Sequence, residues 1–467
     1  YDYNVFKQGK EENTNYYTNE ETYTRSVAFF FMGTYSYKGI YTLTGTGRYE
    51  GTNRLGKSRS ARWLPTWNVA GAWNVHEEKF YSNFTNPVLS HATLKASYSL
   101  TADRGPAFVT NSQAILNSYS PWRPSASVTE SGMRITELEN SELTYEKKHE
   151  FNVGIDLGFL KNRLNLAADY YRRNNFDLIG VINTQGAGGT IAKYANIASM
   201  KSSGIELTIS SKNMRTKDFS WNTDFIFSKT KNEITDLKSH ANVLSLISGN
   251  GFGREGYPVR GLFSIPFAGL TEDGLPTFIN QDGQKTISSF NFQEYEKLDF
   301  LKYEGPTDPT ITGSFGNILT YKNLKLNVFV TYSFGNVIRL DPVFSNAYSD
   351  LDAMPKEIKN RWMNAGDENV TNIPTIVSTR MNQQYAYLNM AYNAYNYSDV
   401  RIADGGFIRL KEISLSYDLP AKVINFFRLN KLQLKLQATN LCLLYADSKL
   451  NGQDPEFFRS GGVSTPV

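Results

Sequence analysis

Apolar and polar residues alternate with a period of two along much of this chain. Within residues 204–210, Ile205, Leu207 and Ile209 alternate with Glu206 and Thr208. Successive side chains on a β-strand point to opposite faces, so this alternation predicts strands with one apolar and one polar face. The pattern predicts about fourteen strands, near residues 28–37, 41–49, 66–73, 91–100, 151–159, 163–170, 204–210, 219–230, 259–268, 275–280, 312–321, 325–333, 406–417 and 431–440.

The polar faces of these predicted strands carry many charges. They include Arg48, Lys95, Asp156, Asp169 and Lys435, and such a face cannot be the dry core of a soluble sandwich. Two arrangements remain open at this point. Either the polar face meets bulk water and the apolar face makes a core, or the apolar face meets lipid and the polar face lines a wet lumen.

The lengths of the connections favour the second arrangement. Very short polar turns occur at Lys38-Gly39, Lys161-Asn162 and Lys322-Asn323. Short turns at one end and long loops at the other are typical of an outer-membrane barrel, and soluble sandwiches rarely sustain such loops. The long connections are predicted at residues 50–65, 101–145, 171–200, 231–256, 282–310 and 334–405. The last of these holds the one predicted helix, at 351–364, with Gly366 as its stop signal.

Composition excludes several other classes of protein. The longest purely apolar run, residues 27–32, is far shorter than the ~20 residues of a membrane-spanning helix. A net charge of +4 over 467 residues gives no nucleic-acid footprint. Cys442 is the single cysteine and the four histidines stand far apart, so no disulfide framework, metal site or cofactor is predicted. No motif for nucleophilic catalysis is present, and an enzyme is not expected.

A set of short segments occurs in a recognisable order along nearly the whole chain. The segments include SYKGIY at 36–41, LPTW at 64–67, LKASYSLT at 94–101, YEK at 145–147, FNVGID at 151–156, SGIEL at 203–207, EGYPV at 255–259, DGGFIRLK at 404–411, SYDLP at 416–420 and ATNL at 438–441. Each segment is weak alone, but the ordered set resembles the SusC/RagA family of TonB-dependent outer-membrane transporters.

The resemblance implies an all-β transmembrane antiparallel barrel of about 22 strands with a plugged lumen, in the outer membrane of a Gram-negative bacterium. It implies active import of an oligosaccharide or oligopeptide, driven by TonB, together with a SusD-like surface lipoprotein. On this reading residues 1–467 are the C-terminal part of the barrel. The plug, the TonB-contacting segment and the final strand are expected outside these residues, and this part alone is expected not to transport.

Aromatic residues of the long loops are the candidates for cargo contact, because their rings stack on sugars or peptide backbones. The competing interpretation is that they form a membrane-interface girdle or pack a loop onto itself. Trp362, beside the predicted helix, is the candidate contact with the lipoprotein. The cargo candidates are Tyr385, Tyr387, Tyr392, Tyr395, Tyr397 and Trp122.

Two other functions remain open from the sequence. A passive binding or adhesion barrel would need no energy input, and a plug with a TonB-contacting segment in the complete gene would argue against it. A secreted β-rich enzyme acting on glycans would need a carboxylate pair in an aromatic cleft, and nothing in the sequence singles out such a pair.

The alternation also predicts which side chains face lipid, since an ionised group on the lipid face costs ~2–4 kcal/mol near the midplane. Arg163, Glu206 and Lys435 are predicted to face the lumen. The loops at 101–145, 171–200, 231–256 and 334–405 are predicted to be extracellular. The predicted lipid-facing residues are Leu164, Leu166, Ile205, Leu207, Ile209, Leu432, Leu434 and Leu436.

Overall fold

A computed structural model describes most of the chain and shows an all-β architecture. Among the helices that it describes, none is both long and apolar enough to cross a bilayer. The described residues are 23–82, 88–106, 114–119, 132–183, 186, 192–249, 251–343, 355–384, 388–420, 424 and 429–457.

The described residues form 21 strands. Most strands of the main sheet exceed ten residues, long enough to span a bilayer when tilted. The strands are β1 (Ser26–Tyr37), β2 (Tyr41–Thr52), β3 (Trp63–Asn74), β4 (Leu89–Asp103), β5 (Ile115–Tyr119), β6 (Gly132–Glu137), β7 (Glu146–Phe159), β8 (Leu164–Asn183), β9 (Ala192–Arg215), β10 (Phe219–Leu237), β11 (Gly261–Ser264), β12 (Phe267–Leu270), β13 (Pro276–Ile279), β14 (Lys285–Thr286), β15 (Lys302–Pro306), β16 (Ile311–Tyr321), β17 (Leu324–Phe334), β18 (Val337–Arg339), β19 (Ile402–Asp404), β20 (Phe407–Asp418) and β21 (Gln433–Ala446).

Twelve of these strands form one antiparallel sheet, which we call the wall. Their order is β1-β2-β3-β4-β7-β8-β9-β10-β16-β17-β20-β21. Each strand of this sheet pairs with the next wall strand along the chain, as in an up-and-down barrel. The other described strands form small separate sheets in the long connections.

The register joins the apolar residues of successive strands into one continuous face. Leu207 pairs with Ala168 on β8 and with Phe227 on β10. Ala168 in turn pairs with Ile155 on β7, and Ile155 pairs with Leu94 on β4. Directly paired residues point to the same side of a sheet. The alternation therefore places one apolar face across the wall and one polar face opposite it.

The three short turns predicted from sequence are confirmed. Tyr321 pairs with Leu324, so Lys322 and Asn323 alone make the turn between β16 and β17. Lys322 has φ 51°, the left-handed conformation that this tight turn requires. The turns around Lys38 and Lys161 lie at the same end of the wall, which we call the short-turn end. The opposite end is the long-loop end.

Two of the predicted strands do not belong to the wall, which therefore has twelve strands in the described residues rather than about fourteen. Residues 259–268 and 275–280 instead supply β11, β12 and β13 of small sheets. All four residues of Gly261–Ser264 are buried. Strands that are covered on both sides need no lipid. The alternation in the sequence does not distinguish such strands from the strands of the wall.

Two loop predictions also need correction. Residues 171–200 are largely strand, because β8 extends to Asn183 and β9 begins at Ala192. The predicted helix at 351–364 is instead a short 3-10 helix, Lys356–Asn360, while 351–354 lie outside the described residues. The amide N–H of Trp362 donates to the Ile373 carbonyl at 2.9 Å, and this bond holds the chain extended where the helix was expected to continue.

The described parts of residues 238–310 and 335–406 pack together at the long-loop end, and we call them the loop cluster. Its main core contains Val243, Leu246, Phe263, Ile265 and Phe278, each fully buried. Helices α3 (Val243–Ile247), α4 (Thr379–Gln384) and α5 (Leu388–Asn396) lie within it, whereas the four-residue helices α1 (Arg59–Arg62) and α2 (Lys79–Ser82) lie beside the wall strands. Further 3-10 helices are Val75–Glu77, Asp367–Asn369, Asp399–Arg401, Ser448–Leu450 and Pro455–Phe457.

Candidate functional site

The apolar face of the wall is exposed. On inner strands of the sheet, Leu43 is 57% exposed, Val69 48% and Ile205 50%. Monomeric soluble proteins rarely expose contiguous apolar patches larger than a few hundred Å². A face of this kind that continues over twelve strands is stable only where lipid covers it.

Aromatic rings collect on this apolar face beside the short turns. Tyr41 stacks on Trp73 with ring centroids 6.3 Å apart, and Tyr321 and Tyr417 occupy the corresponding ends of β16 and β20. Tyrosine and tryptophan favour the membrane–water boundary, where the ring is in the apolar layer and the polar group is hydrated. The aromatic belt marks the boundary at the short-turn end.

The opposite face of the wall is charged. Lys95 on β4 forms an ion pair with Asp156 on β7. The Ser210 hydroxyl donates to Asp224 at 2.7 Å, which links β9 to β10. Ionisable groups in such number need water. The polar face therefore suits the wet inner surface of a barrel.

The predicted division of side chains between the two faces can be compared with the register. Glu206 pairs with Asp169 and Lys435 pairs with Ser416, so both lie on the polar face as predicted. The register does not test the prediction for Arg163, because Arg163 lies in the turn before β8. There its guanidinium donates to the carbonyls of Lys212 and Asn213, at 3.3 and 3.0 Å.

The predicted lipid-facing leucines and isoleucines share the apolar face wherever they lie in strands. Leu166 pairs with Ile209, and Leu434 pairs with Tyr417. Leu432 is the exception, because β21 begins one residue later, at Gln433.

Three arginines, none of which the sequence singled out, tie the long-loop end together. Arg339 donates to the Phe263 carbonyl at 2.7 Å, and burial lowers the pKa of its guanidinium to about 9. Arg401 is 2% exposed and donates to Glu357 at 2.7 Å. Arg409 projects from the polar face of β20 and forms an ion pair with Asp454. No pattern in the sequence distinguishes these arginines from surface ones, because their partners are distant along the chain.

The tyrosine candidates separate into buried and partly exposed positions. Tyr392 and Tyr395 are each 1% exposed. The Tyr392 hydroxyl donates to the Thr375 carbonyl at 2.6 Å, and burial raises the pKa of Tyr395 to about 12. These two rings pack the loop onto itself, and a contact with cargo would require the loop cluster to open. Tyr397 is half-buried beside the Arg339 guanidinium, 5.6 Å from its ring centroid. Tyr385, Tyr387 and Trp122 lie outside the described residues.

Trp362 lies at the long-loop end of the molecule, half-buried. Its indole N–H donates to Glu368 at 3.0 Å. The ring covers Gly274, where a Cβ atom would overlap it. The more exposed apolar side chains of the same segment are Met363, at 57%, and Val370, at 83%.

Within the described residues, no group of three or more histidine, cysteine, aspartate or glutamate side chains could hold a metal ion. The chemistry that the described surfaces offer is recognition by charge, hydrogen bonding and ring stacking.

Comparisons with known proteins agree with this geometry. A family profile described as TonB dependent receptor-like, beta-barrel, matches residues 1–441. TonB-dependent receptor P3 of Formosa agariphila is 25% identical over 94% of this chain, which covers 42% of that receptor. TonB-dependent receptor SusC of Bacteroides thetaiotaomicron is 27% identical over 70% of this chain, covering 34% of SusC.

Among solved structures, the RagAB peptide transporter matches with a TM-score of 0.74 and 23% identity, over 94% of this chain and 45% of that one. At this identity the match shows a shared fold. The chain thus spans less than half the length of the relatives it matches.

Proposed function

The chain belongs to the TonB dependent receptor-like β-barrel family, whose members are outer-membrane β-barrels, and on that premise we propose that it supplies wall and outer loops to an active nutrient importer. The single observation that carries the proposal is the wall itself, with one exposed apolar face and one charged face over twelve strands. Such a wall separates lipid from a wet passage. The related proteins that the comparisons name are receptors and transporters rather than enzymes.

We propose an oligosaccharide or oligopeptide as the cargo. Both carry hydrogen-bonding groups and flat faces that suit a charged lumen and tyrosine rings. RagAB, whose fold this chain shares, is a peptide transporter, and this supports a peptide as the first cargo to test. Tyr397, half-buried beside the Arg339 guanidinium, is the most accessible of the three described candidate tyrosines and the first to test for such a contact.

We also propose a SusD-like surface lipoprotein as partner, seated on the long-loop end, with TonB supplying the energy through a plug outside residues 1–467. The segment around Trp362 is the proposed contact. Met363 and Val370 present its exposed apolar area, and Trp362 holds the segment in place through Gly274. Apolar side chains on a fixed backbone bind partners at a low cost in entropy.

The experiment is uptake by a strain that carries the complete gene or lacks it. Fluorescent oligopeptides and oligosaccharides are supplied with and without a protonophore, and in a strain without TonB. We expect uptake of one cargo class that needs the gene, TonB and the proton gradient. Binding to the cell surface without energised uptake would instead support the passive binding barrel.

A further inference from the structure

Four basic residues lie together on the apolar face of the wall, towards its long-loop end. They are Arg172 on β8, Lys201 on β9, and Lys229 and Lys231 on β10. We call them the basic patch. Cations on the face that carries the exposed apolar side chains need an explanation, because lipid tails do not solvate charge.

The register shows that these residues share the apolar face. Lys229 pairs with Ile205, and Lys231 pairs with Ser203. Ser203 also pairs with Arg172 across the other edge of β9. Directly paired residues point to the same side, so the two lysines and the arginine project with Ile205.

Lys201 extends the same face by one more row. It lies two residues from Ser203 along β9 and pairs with Glu233 of β10. The patch therefore covers three adjacent strands, which are spaced about 4.8 Å apart.

The charge of the patch is largely uncompensated. Arg172, Lys201 and Lys229 are exposed, and none of them forms an ion pair with a carboxylate of the described residues. Lys231 lies 3.7 Å from Glu233, which is the only acidic side chain that the register places in these rows. Four cations and one anion leave a net charge of +3.

The position of the patch along the strands coincides with the far membrane boundary. Trp221 lies in the aromatic belt beside the turn that precedes β10. A transmembrane strand needs about 9–11 residues, and counting from Trp221 this length ends between Lys229 and Lys231. Phe227, directly below Lys229 on the same face, is still apolar.

We propose that the basic patch binds the phosphate group of a lipid in the leaflet at the long-loop end, with its acyl chains lying on the apolar rows below. The juxtaposition carries the proposal: cations at headgroup depth directly adjoin exposed apolar side chains, and a phosphorylated lipid is complementary to both. A free phosphate ion would contact only the basic patch and would leave the apolar rows below it uncovered. On other wall strands at this height, the same face carries Leu100 on β4, His149 on β7 and Phe334 on β17. The lysines and the arginine at this height are therefore confined to β8, β9 and β10.

The test uses the full-length protein in phosphatidylcholine nanodiscs, with binding of monophosphorylated lipid A measured by native mass spectrometry. The triple variant Arg172→Gln, Lys201→Gln, Lys229→Gln removes the three unpaired cations. We expect its retention of the lipid to fall about tenfold or more, because each of the three cations adds to the electrostatic attraction for an anionic headgroup. Dephosphorylated lipid A should be retained weakly by the natural protein and by the variant alike.

The matched control is Lys212→Gln, Lys325→Gln, Lys435→Gln, which removes three exposed lysines from the polar face. It should retain the lipid as the natural protein does. The variant Glu233→Gln removes the one anion of the patch and should tighten retention, so the proposal stays testable if the triple variant fails to assemble. Equal retention by the two triple variants would overturn the proposal. Displacement of the lipid by equimolar inorganic phosphate would overturn the assignment to lipid.

Discussion

The wall and the loop cluster place their apolar residues in opposite ways. In the wall, Leu43 and Ile205 are at least half exposed, and the strands are held by their backbone ladders. In the loop cluster, Phe263 and Ile265 are fully buried and charges such as Arg401 are paired inside. The two regions therefore suit different surroundings, because lipid covers the apolar face of the wall whereas water surrounds the loop cluster.

The largest effect that should separate the two regions is loss of the buried ion pair between Arg401 and Glu357. In Arg401→Ala, Glu357 loses its partner and the buried guanidinium leaves a cavity. We expect the loop cluster to lose about 3–5 kcal/mol of local stability, whereas the wall still assembles. Limited proteolysis reports on the loops, and heat-modifiable mobility on gels reports on the wall.

The matched control for this change is Arg361→Ala. Arg361 is half-buried, and among the described residues its guanidinium donates only to the carbonyl of Ile358, nearby in sequence, at 3.3 Å. It should leave proteolysis unchanged. If Arg401→Ala also abolished the heat-modifiable mobility of the wall, the wall would depend on the loop cluster, and this would contradict the separation of the two regions.

A charge on the apolar face should affect the wall and not the loop cluster. Leu207→Arg puts an ionised group where lipid is expected, at a cost of about 2–4 kcal/mol near the midplane. Thr208→Arg, one residue further along β9, places the same group on the polar face. Folding into lipid vesicles followed by urea unfolding should show the loss for Leu207→Arg alone. Equal losses for the two variants would contradict the assignment of the faces.

A smaller effect concerns the packing of a tyrosine in the loop cluster. Tyr392→Phe removes the hydroxyl that donates to Thr375 and leaves the carbonyl of this half-buried residue without that bond. The expected cost is about 1 kcal/mol, visible as faster amide exchange in α5. Tyr295, which is 60% exposed, supplies the control Tyr295→Phe, for which no change is expected.

The smallest effect is a dependence on pH in the segment around Trp362. Backbone N–H donors from Asn364 and Met363 lower the pKa of Asp367 below its usual 3.8. The Trp362 indole, followed by backbone amides, lowers the pKa of Glu368 below 4.5. A lowered carboxyl pKa stabilises the fold above the unfolded value, and this stabilisation is lost as pH falls through the folded value.

We therefore expect amide exchange at Met363, Asn364 and Gly366 to be protected at pH 6 and to lose protection as pH falls below about 4. The variant Asp367→Asn should remove the part of this change that Met363 and Asn364 show. Protection that persists unchanged to pH 3 would contradict the role of the two carboxylates.

The wall could be predicted from sequence and the loop cluster could not, for a physical reason. Strand alternation is a local pattern, so Leu207 and Glu206 reveal opposite faces without knowledge of the fold. The partners of Arg339 and Arg401 are brought together only by folding. The sequence around Tyr392 and Tyr395 has no pattern that predicts their burial. The prediction places the start of β8 one residue too early, at Arg163, because the alternation of residue types does not mark where backbone pairing begins.

The central claim is that the apolar face of the wall meets lipid while the charged face meets water. It is tested most directly by spin labels at Leu207 and Glu206, introduced one at a time as cysteines in a full-length protein whose Cys442 is replaced by serine. In lipid vesicles, the label at 207 should be relaxed by oxygen and little affected by a water-soluble nickel chelate. The label at 206 should show the reverse. Preferential access of the nickel chelate to the label at 207 would contradict the account.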